Sequence, residues 1–415
     1  MNGGPFAGLR VLELCDEKGH FAGKLLGDLG ADVIKIEPPG GEPCRDVGPF
    51  LDDAAHPDRS LYFWHYNTSK RGITLDVRHP DGAAVFRNLA SSADVVLESF
   101  APGTLETLGL GYESLTAENP GLIQCALTPF GQSGPWRDYL SSDLLHMAAG
   151  GEMASCGYDE ADVPGDVPIA PGGGNAWHMG AHFAYMAIVA ALVHRTVTGQ
   201  GQYIDVSIHD ACALTTEAAI PVYVYRGEVV RRQTGRHHSV NPSPRTQFRA
   251  KDGRYVTALI ANQLSPAYVR RIADFLRPFG KEADLDDPKY DDAAVVESAA
   301  SHIIEDVVAS FIASVTAEEA YHAAQSAGFQ WGAVRPAEAL LEDEHLRDRE
   351  FWKEVEHPEL GRSFTYPGEA AIYHDSPWHI RSRAPLVGEH NLDIFREELG
   401  MSEEAVTQLE REGVI

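Results

Sequence analysis

The fold class is decided by two strand-like runs, Leu9-Arg-Val-Leu-Glu-Leu14 and Asp32-Val-Ile-Lys-Ile-Glu37. Between them, residues Gly19–Leu29 carry apolar side chains at helical spacing. A strand, a helix and a second strand in this order indicate two parallel strands joined by a right-handed crossover. This stretch therefore predicts an α/β sheet domain.

The same alternation continues through the first two hundred residues. A helix is predicted at about Pro80–Ser91, and strands are predicted at Asp94–Glu98 and Leu122–Ala126. The stretch His178–Thr198 is apolar almost all round, which predicts a buried helix. The expected fold class is α/β, with a Rossmann-like large domain.

Two further segments divide the rest of the chain. Arg231–Pro244 is basic and polar and contains two prolines and a glycine, which is typical of a linker. Lys251-Asp-Gly253, between two strand-like runs, predicts a hairpin in a smaller α+β domain. Gly332-Ala-Val-Arg-Pro336 marks another boundary. We predict domains at residues 1–225, 226–330 and 331–415.

Composition excludes several classes of function. The 415-residue chain has a formal net charge of −27, whereas nucleic-acid binding needs a basic face. Its five cysteines form no CxxC pair, which is typical of reduced thiols and not of a disulfide framework or zinc site. The longest apolar run, Ala181–Val193, is too short to cross a bilayer, and no signal-peptide pattern is visible. We expect a cytoplasmic protein that binds neither nucleic acid nor membrane.

Several short motifs occur in a fixed order along almost the whole chain. They are Gly8-Leu-Arg-Val-Leu-Glu-Leu14, Leu29-Gly-Ala-Asp-Val-Ile-Lys-Ile-Glu37, Asn67-Thr-Ser-Lys-Arg-Gly-Ile-Thr-Leu-Asp76, Phe100-Ala-Pro-Gly103, Leu108-Gly-Leu-Gly-Tyr-Glu113, Phe130-Gly-Gln-Ser-Gly-Pro135, Thr198-Gly-Gln-Gly-Gln202 and Ala384-Pro-Leu-Val-Gly-Glu-His390. Together they resemble the family III CoA-transferases, the CaiB–BaiF family. The resemblance implies a ring-shaped chain that forms an interlocked dimer, with residues 331–415 returning to the large domain.

The resemblance also implies a nucleophilic aspartate just before the long helix. In the family, this carboxylate attacks an acyl-CoA carbonyl and forms a mixed anhydride, which CoA thiolate then opens. Here the segment reads Gly172-Gly-Gly-Asn-Ala-Trp-His-Met-Gly180, so Asn175, Ala176 and Trp177 occupy the place of the aspartate. Neither an amide nor an indole can form the anhydride. The chain therefore resembles a family member that has lost its nucleophile.

Two aspartates are weak substitutes for that nucleophile. Asp143 precedes a predicted helix and is expected to serve as its cap, and Asp166 lies in a Pro-Gly turn and is expected to be a turn residue. His178 and His182 are four residues apart and could share a metal ion. No third ligand is evident, however, and we expect two pocket or core histidines and no metal site.

The resemblance implies CoA contacts at seven positions: Lys70, Arg71, Ser99, Phe100, Thr107, Leu108 and Phe130. Family members also place an arginine near the CoA phosphates, in the turn that Glu106 and Thr107 occupy here. An acid is unfavourable beside a phosphate pocket. Some members have a glycine-rich loop over the aspartate, and the corresponding stretch here, Ile260–Ser265, has no glycine.

These departures favour a non-catalytic or impaired subunit of a heteromeric CoA-transferase. The segment Glu13–Gly19 resembles the aspartate-less subunit of the two-subunit enzymes that transfer CoA from succinyl-CoA to benzylsuccinate. We expect an aspartate-bearing paralogue as partner, CoA or acyl-CoA as substrate, and no covalently bound cofactor. Two alternatives stay open. One is an active transferase, isomerase or hydratase with a displaced catalytic residue, and the other is a non-enzymatic CoA-ester-binding protein.

Overall fold

The computed structural model describes residues 3–159, 167–260 and 263–415. Its strands are β1 (Arg10–Leu14), β2 (Asp32–Glu37), β3 (Lys70–Thr74), β4 (Val95–Glu98), β5 (Ile123–Thr128), β6 (Tyr203–Ser207), β7 (Gln247–Arg249), β8 (Tyr255–Ala258), β9 (Trp331–Ala333), β10 (Trp352–His357) and β11 (Arg362–Pro367). Its α-helices are α1 (His20–Asp28), α2 (Leu61–Tyr66), α3 (Pro80–Ala90), α4 (Thr104–Thr107), α5 (Tyr112–Thr116), α6 (Asp143–Ala149), α7 (Glu152–Ser155), α8 (Asn175–Thr198), α9 (Ile208–Leu214), α10 (Ala219–Arg226), α11 (Pro266–Leu276), α12 (Ala293–Ser298), α13 (Ala309–Ile312), α14 (Ala317–Ser326), α15 (Glu344–Asp348) and α16 (Glu403–Arg411). Asp166, and Ala261 and Asn262 of the predicted cover-loop position, lie outside the described residues.

The chain forms two compact units. The first consists of Met1–Gly150, Gly172–Thr215 and Glu344–Ile415, and the second of Gly151–Pro171 and Thr216–Asp343. The chain thus enters the second unit twice, once just before α8 and once after α9. The end of the chain belongs to the first unit.

A six-stranded sheet forms the centre of the first unit. Its strand order is β3-β2-β1-β4-β5-β6, and every neighbouring pair is parallel. The predicted α/β class is confirmed. Strands β1, β4 and β5 are almost completely buried, because helices cover both faces of such a sheet, whereas β6 at the sheet edge has one buried residue. The core on one face includes Phe86 and Leu105 and extends to Phe395 and Val414 near the end of the chain.

The long helix α8 is only partly buried. Its buried face carries small residues and packs against α1, β5 and α9. A Cβ atom on Gly180 would lie 2.7 Å from Ile208 Cγ1, so glycine permits this close approach of α9. On the opposite face, Met186, Val193 and Val197 are 51%, 62% and 84% exposed. The prediction of a buried helix is therefore wrong, because both faces are apolar in sequence and only one meets the core.

By length and composition, α8 could also cross a membrane. It has 24 residues, and its most apolar window has a mean hydropathy of 1.4. The apolar length expected from the sequence, Ala181–Val193, is too short because this run covers only the middle of the helix. In this fold, α8 packs against the sheet, and a core helix of this kind needs the same apolar composition.

The second unit contains an antiparallel sheet in the order β7-β8-β9. The hairpin predicted at Lys251-Asp-Gly253 is confirmed, because Gln247–Arg249 pairs antiparallel with Tyr255 and its neighbours. Apolar residues of α11, α13 and α14 pack on this sheet around Trp331 and Phe311. The unit has a hydrophobic core of its own.

A buried cluster of charged residues connects the first three strands of the large sheet. Glu13 on β1 lies 2.7 Å from Lys70 Nζ on β3 and 3.3 Å from Lys35 Nζ on β2. All three side chains are fully buried. Lys70 Nζ also donates to Asn67 Oδ1 at 2.8 Å and to the His20 carbonyl at 3.0 Å. Lys70 is therefore part of the interior of the sheet domain.

We predict that Lys70→Met lowers the free energy of unfolding by about 3 kcal/mol, because it removes the nearer of the two buried cations of Glu13 and leaves Lys35, which Glu42 shares. Arg71→Met is the matched control. Arg71 pairs with Asp32 and Glu398 near the surface, so its loss should cost about 1 kcal/mol. Urea unfolding of the two variants measures both values, and equal losses would contradict the structural role of Lys70.

Candidate active site

A cavity of about 530 Å³ lies at the carboxyl ends of β1, β2 and β4, and we call it the edge groove. β1 and β4 are neighbours in the sheet, although β2 and β3 lie between them in sequence. Ligands of open parallel sheets bind where the strand order reverses in this way. The residues that line the groove are Leu14–Glu17, Ile36–Pro38, Glu42, Pro43, Leu75–Arg78, Ser99 and Phe100.

Carboxylates outnumber cations among the lining residues. The carboxylates are Asp16, Glu17, Glu37, Glu42 and Asp76, and the cation is Arg78. Glu37 accepts hydrogen bonds of 2.6 and 2.7 Å from Arg45, and Glu42 lies 3.1 Å from Lys35 Nζ. These two acids are compensated from inside the protein. A bound phosphate would nevertheless meet more negative than positive side chains on the lining of the edge groove.

Two of the predicted CoA contacts lie in the edge groove. Ser99 donates to Asp16 Oδ1 at 2.8 Å and accepts from the Asp16 N–H at 3.0 Å, which joins the loops after β1 and β4. Phe100 lines the groove beside it. Thr107 is exposed and donates to the Thr104 carbonyl, and Leu108 packs on the sheet core; neither lines the groove.

The structure does not bring Lys70 and Arg71 to the edge groove. They begin β3 and therefore lie at its amino end, whereas the groove lies at the carboxyl ends of the strands. Arg78 is the basic residue that does line it, and its guanidinium lies 6.0 Å from the Phe100 ring. Sequence reasoning missed Arg78, although its position just after β3 is a sign of a carboxyl-edge residue.

The first turn of α8 contains no acidic residue. The Asn175 side chain donates to the Gly172 carbonyl at 2.8 Å. Ala176 is buried, and its N–H donates to Asp143 Oδ1 at 2.8 Å. The Trp177 ring packs edge-on against His146 at 5.6 Å. The three residues at the place of the family aspartate are thus an amide, a methyl group and an indole.

Asp143 is the carboxylate that lies at the entrance of α8. It was predicted to cap its own helix, but Ser142 does so by accepting from the Leu145 N–H at 3.2 Å. Asp143 instead caps α8 through the bond to Ala176. A carboxylate is stabilised at this position by the unpaired N–H groups of the helix start. The geometry therefore shows a structural contact for Asp143.

Phe130 belongs to an aromatic cluster beside this entrance. Its ring contacts Trp136, Tyr139, His146 and His209 with centroid distances of 5.0–6.1 Å. His146 is completely buried, and neither of its ring nitrogens has a hydrogen-bond partner. Burial, together with the nearby His209, lowers the pKa of His146 to about 4. His146 is therefore neutral near pH 7.

His178 and His182 do not form a shared ligand set. His178 Nε2 lies 2.9 Å from the Tyr66 hydroxyl, and His182 Nδ1 lies 2.8 Å from the His178 carbonyl. Both rings pack edge-on against Phe21, with their centroids 6.5 Å apart. Each histidine thus has its own partner, and the helix face they share is a packing surface.

Comparison with known proteins identifies a family that spans almost the whole chain. The model of CoA-transferase family III matches residues 6–391. The succinyl-CoA:(R)-benzylsuccinate CoA-transferase subunit BbsE of Thauera aromatica is 33% identical, over 95% of this chain and 94% of its own. The succinyl-CoA–L-malate CoA-transferase beta subunit of Chloroflexus aurantiacus is 31% identical, over 99% and 98%.

A solved structure has the same fold. The crystal structure of a CaiB/BaiF family protein from Brucella suis matches with a TM-score of 0.81 and 26% identity, covering 96% of this chain and all of that one. The family match spans almost the whole sequence, and the structural match extends over both units. The chain belongs to CoA-transferase family III.

We predict that His146→Phe reduces the acid sensitivity of the fold. The folded-state pKa of His146, about 4, lies below the unfolded value of about 6.5, so the unfolded state binds more protons between these values. The native state therefore loses stability as the pH falls from 6.5 to 4. His146→Phe should remove that loss, which is about 3 kcal/mol over the whole range, as measured by urea unfolding.

His146→Gln is the matched control for this prediction. It also removes the titrating ring but keeps an unpaired polar group in an apolar site. Both variants should lose the same part of the pH dependence, whereas only the phenylalanine variant should be as stable as the unchanged protein at pH 7. A pH dependence that stays the same in both variants would contradict the prediction.

Proposed function

We propose that this chain is a non-catalytic or catalytically impaired subunit of a heteromeric family III CoA-transferase. Its complex would move CoA from a succinyl-CoA-like donor to a carboxylic acid such as an arylsuccinate. The entrance of α8, where Asn175, Ala176 and Trp177 occur without a carboxylate, carries the proposal. The named relatives support it, since both are subunits of transferases that use succinyl-CoA.

The missing carboxylate matters because the reaction proceeds through an anhydride. A nucleophilic carboxylate attacks the thioester carbonyl, CoA thiolate leaves, and the acyl group remains on the carboxylate oxygen. The amide of Asn175 and the indole of Trp177 cannot form this bond. Asp143 has a suitable group, but its Oδ1 accepts the Ala176 N–H at 2.8 Å. An attack through this oxygen would require α8 to give up its cap.

The charges of the edge groove support the proposal that this chain contributes only indirectly to CoA binding. CoA carries several phosphate charges, and Arg78 is the cation on the groove lining. Three of the five lining carboxylates pair with Lys18, Lys35 and Arg45, so Glu17 and Asp76 are the acids that would face a phosphate. The turn where the family has an arginine contains Glu106 and Thr107. The proposal is that the partner subunit supplies the stronger CoA site. CoA thioesters then act as substrates, and no resident cofactor is required.

Each unit has exposed apolar surface, which supports the proposal of an interlocked partner subunit. On α8 of the first unit, Met186, Val193 and Val197 are more than half exposed. On α10 of the second unit, no residue is buried, and Tyr223 and Tyr225 are 62% and 85% exposed. Large exposed apolar patches of this kind mark interaction sites. We infer that an aspartate-bearing paralogue covers them in an obligate interface above about 2,000 Å².

The chain alone should not transfer CoA. Purified protein is incubated with succinyl-CoA and an arylsuccinate, and new CoA esters are measured, together with hydroxylamine trapping of any acyl-enzyme. We expect neither product, because the first turn of α8 has no acidic residue and Asp143 is engaged as its cap. Co-expression with the aspartate-bearing paralogue should produce turnover of about one per second or faster. Turnover by the isolated chain would overturn the proposal.

Trp177→Asp and Asn175→Asp serve as the matched variants for this assay. The nucleophile must lie within about 3–3.5 Å of the thioester carbonyl, and CoA must be held by phosphate contacts that this groove lacks. We therefore expect no trapped acyl hydroxamate from either variant. Trapping in one of them would mean that the pocket is competent apart from the missing carboxylate.

The exposed face of α8 should be needed for assembly. Val193→Asp and Val197→Asp place charges on that face without touching the buried one, so we expect at least a tenfold weaker association with the partner, or about 1.4 kcal/mol each. Leu392→Asp is the control, because Leu392 is 58% exposed outside α8. Analytical ultracentrifugation measures the complex; unchanged assembly of both α8 variants would argue against this interface.

A further inference from the structure

Three potential metal ligands converge in the second unit. Glu217 lies between α9 and α10, and His237 and His238 precede β7. Glu217 Oε2 lies 3.3 Å from His237 Nε2 and 3.2 Å from His238 Nε2. The three donor atoms all lie within 4.8 Å of one another. Two imidazoles and one carboxylate are a donor set that zinc commonly takes.

We propose that Glu217, His237 and His238 bind one Zn²⁺ ion, with a water molecule as fourth ligand. Zinc bonds of 2.0–2.1 Å at tetrahedral angles separate neighbouring ligand atoms by about 3.3 Å. The two nitrogen–oxygen distances, 3.3 and 3.2 Å, match this separation. Two of the three separations thus already have the value that the ion requires, and the two histidine ligand atoms lie within 4.8 Å of each other.

The hydrogen bonding of His237 supports the same conclusion. Its Nδ1 lies 3.0 Å from the His238 carbonyl oxygen, and a carbonyl can only accept. Nδ1 therefore donates to this carbonyl, and Nε2 is the ring nitrogen that faces the Glu217 carboxylate. Metal-bound histidines usually have this arrangement, with the second ring nitrogen bonded to a carbonyl.

A second group of possible ligands does not suit a metal ion. His20, Glu42 and Cys44 also lie within ligand distance of one another. There, however, Lys35 Nζ lies 3.1 Å from Glu42 Oε1, the same oxygen that faces His20 Nε2 at 2.7 Å. An ammonium group already compensates that carboxylate and would repel a metal ion. Glu217 has no lysine or arginine in an ion pair within the described residues.

The zinc ion would join two segments that are distant in sequence. Arg236 and Ser239, on either side of the two histidines, line a cavity of about 580 Å³ in the second unit. Zinc binding would hold the part of the cavity wall next to His237 and His238 against the turn that carries Glu217. A site of this kind couples metal binding to local stability, because the unfolded chain does not preform it.

The test uses the full-length chain, freed of metal with EDTA and titrated with Zn²⁺ against a chromogenic chelator. The unchanged chain should bind one zinc that Glu217→Gln, His237→Gln and His238→Gln each weaken at least about tenfold. Zinc should raise the thermal midpoint of the unchanged chain and not that of Glu217→Gln. Mg²⁺ should raise neither, because it prefers oxygen ligands.

His322→Gln is the matched control, since His322 is exposed and lies 3.7 Å from Glu318 as a single histidine–glutamate pair. It should bind zinc as the unchanged chain does. Equal midpoints of all variants without metal would show that they fold alike. Equal zinc affinity in the three ligand variants and the unchanged chain, or an equal loss in His322→Gln, would overturn the proposal.

Discussion

The contact of the Glu13 carboxylate with two lysine ammonium groups is the constraint on which the large sheet depends. Glu13 on β1 faces Lys35 from β2 and Lys70 from β3, and all three are excluded from solvent. Helix α1 covers them so closely that a Cβ on Gly23 would lie 1.6 Å from Glu13 Oε2. Uncompensated buried charge is costly, so the three strands keep one register. The loops that form the edge groove start from these strands.

The sheet was predictable because its signals are local. The strand–helix–strand pattern at residues 9–37 and the later apolar runs each indicate an element, and parallel topology follows from the crossover rule. The burial of α8 was not predictable in this way. Its sequence is apolar on both faces, and periodicity cannot say which face meets the core. Only the packing of α9 beside Gly180 decides that.

Sequence resemblance predicts some residues of the edge groove and not others. Ser99 and Phe100 lie in the edge groove because they follow β4 directly. Lys70 and Arg71 are expected CoA contacts because they are basic, but charge alone does not tell which end of a strand a residue occupies. Arg78 was missed for the same reason. The contact from Ala176 to Asp143 spans 33 residues, and no spacing rule anticipates it.

The exposed stripe on α8 has a consequence for the life of the chain before assembly. Met186, Val193 and Val197 form an apolar ridge along one side of a helix of 24 residues. A newly made chain that presents such a ridge associates with itself in proportion to its concentration, and association then competes with the correct encounter. Balanced synthesis of the two proposed subunits would shorten this interval. The exposed face of α8 would therefore favour production of the two proposed subunits together.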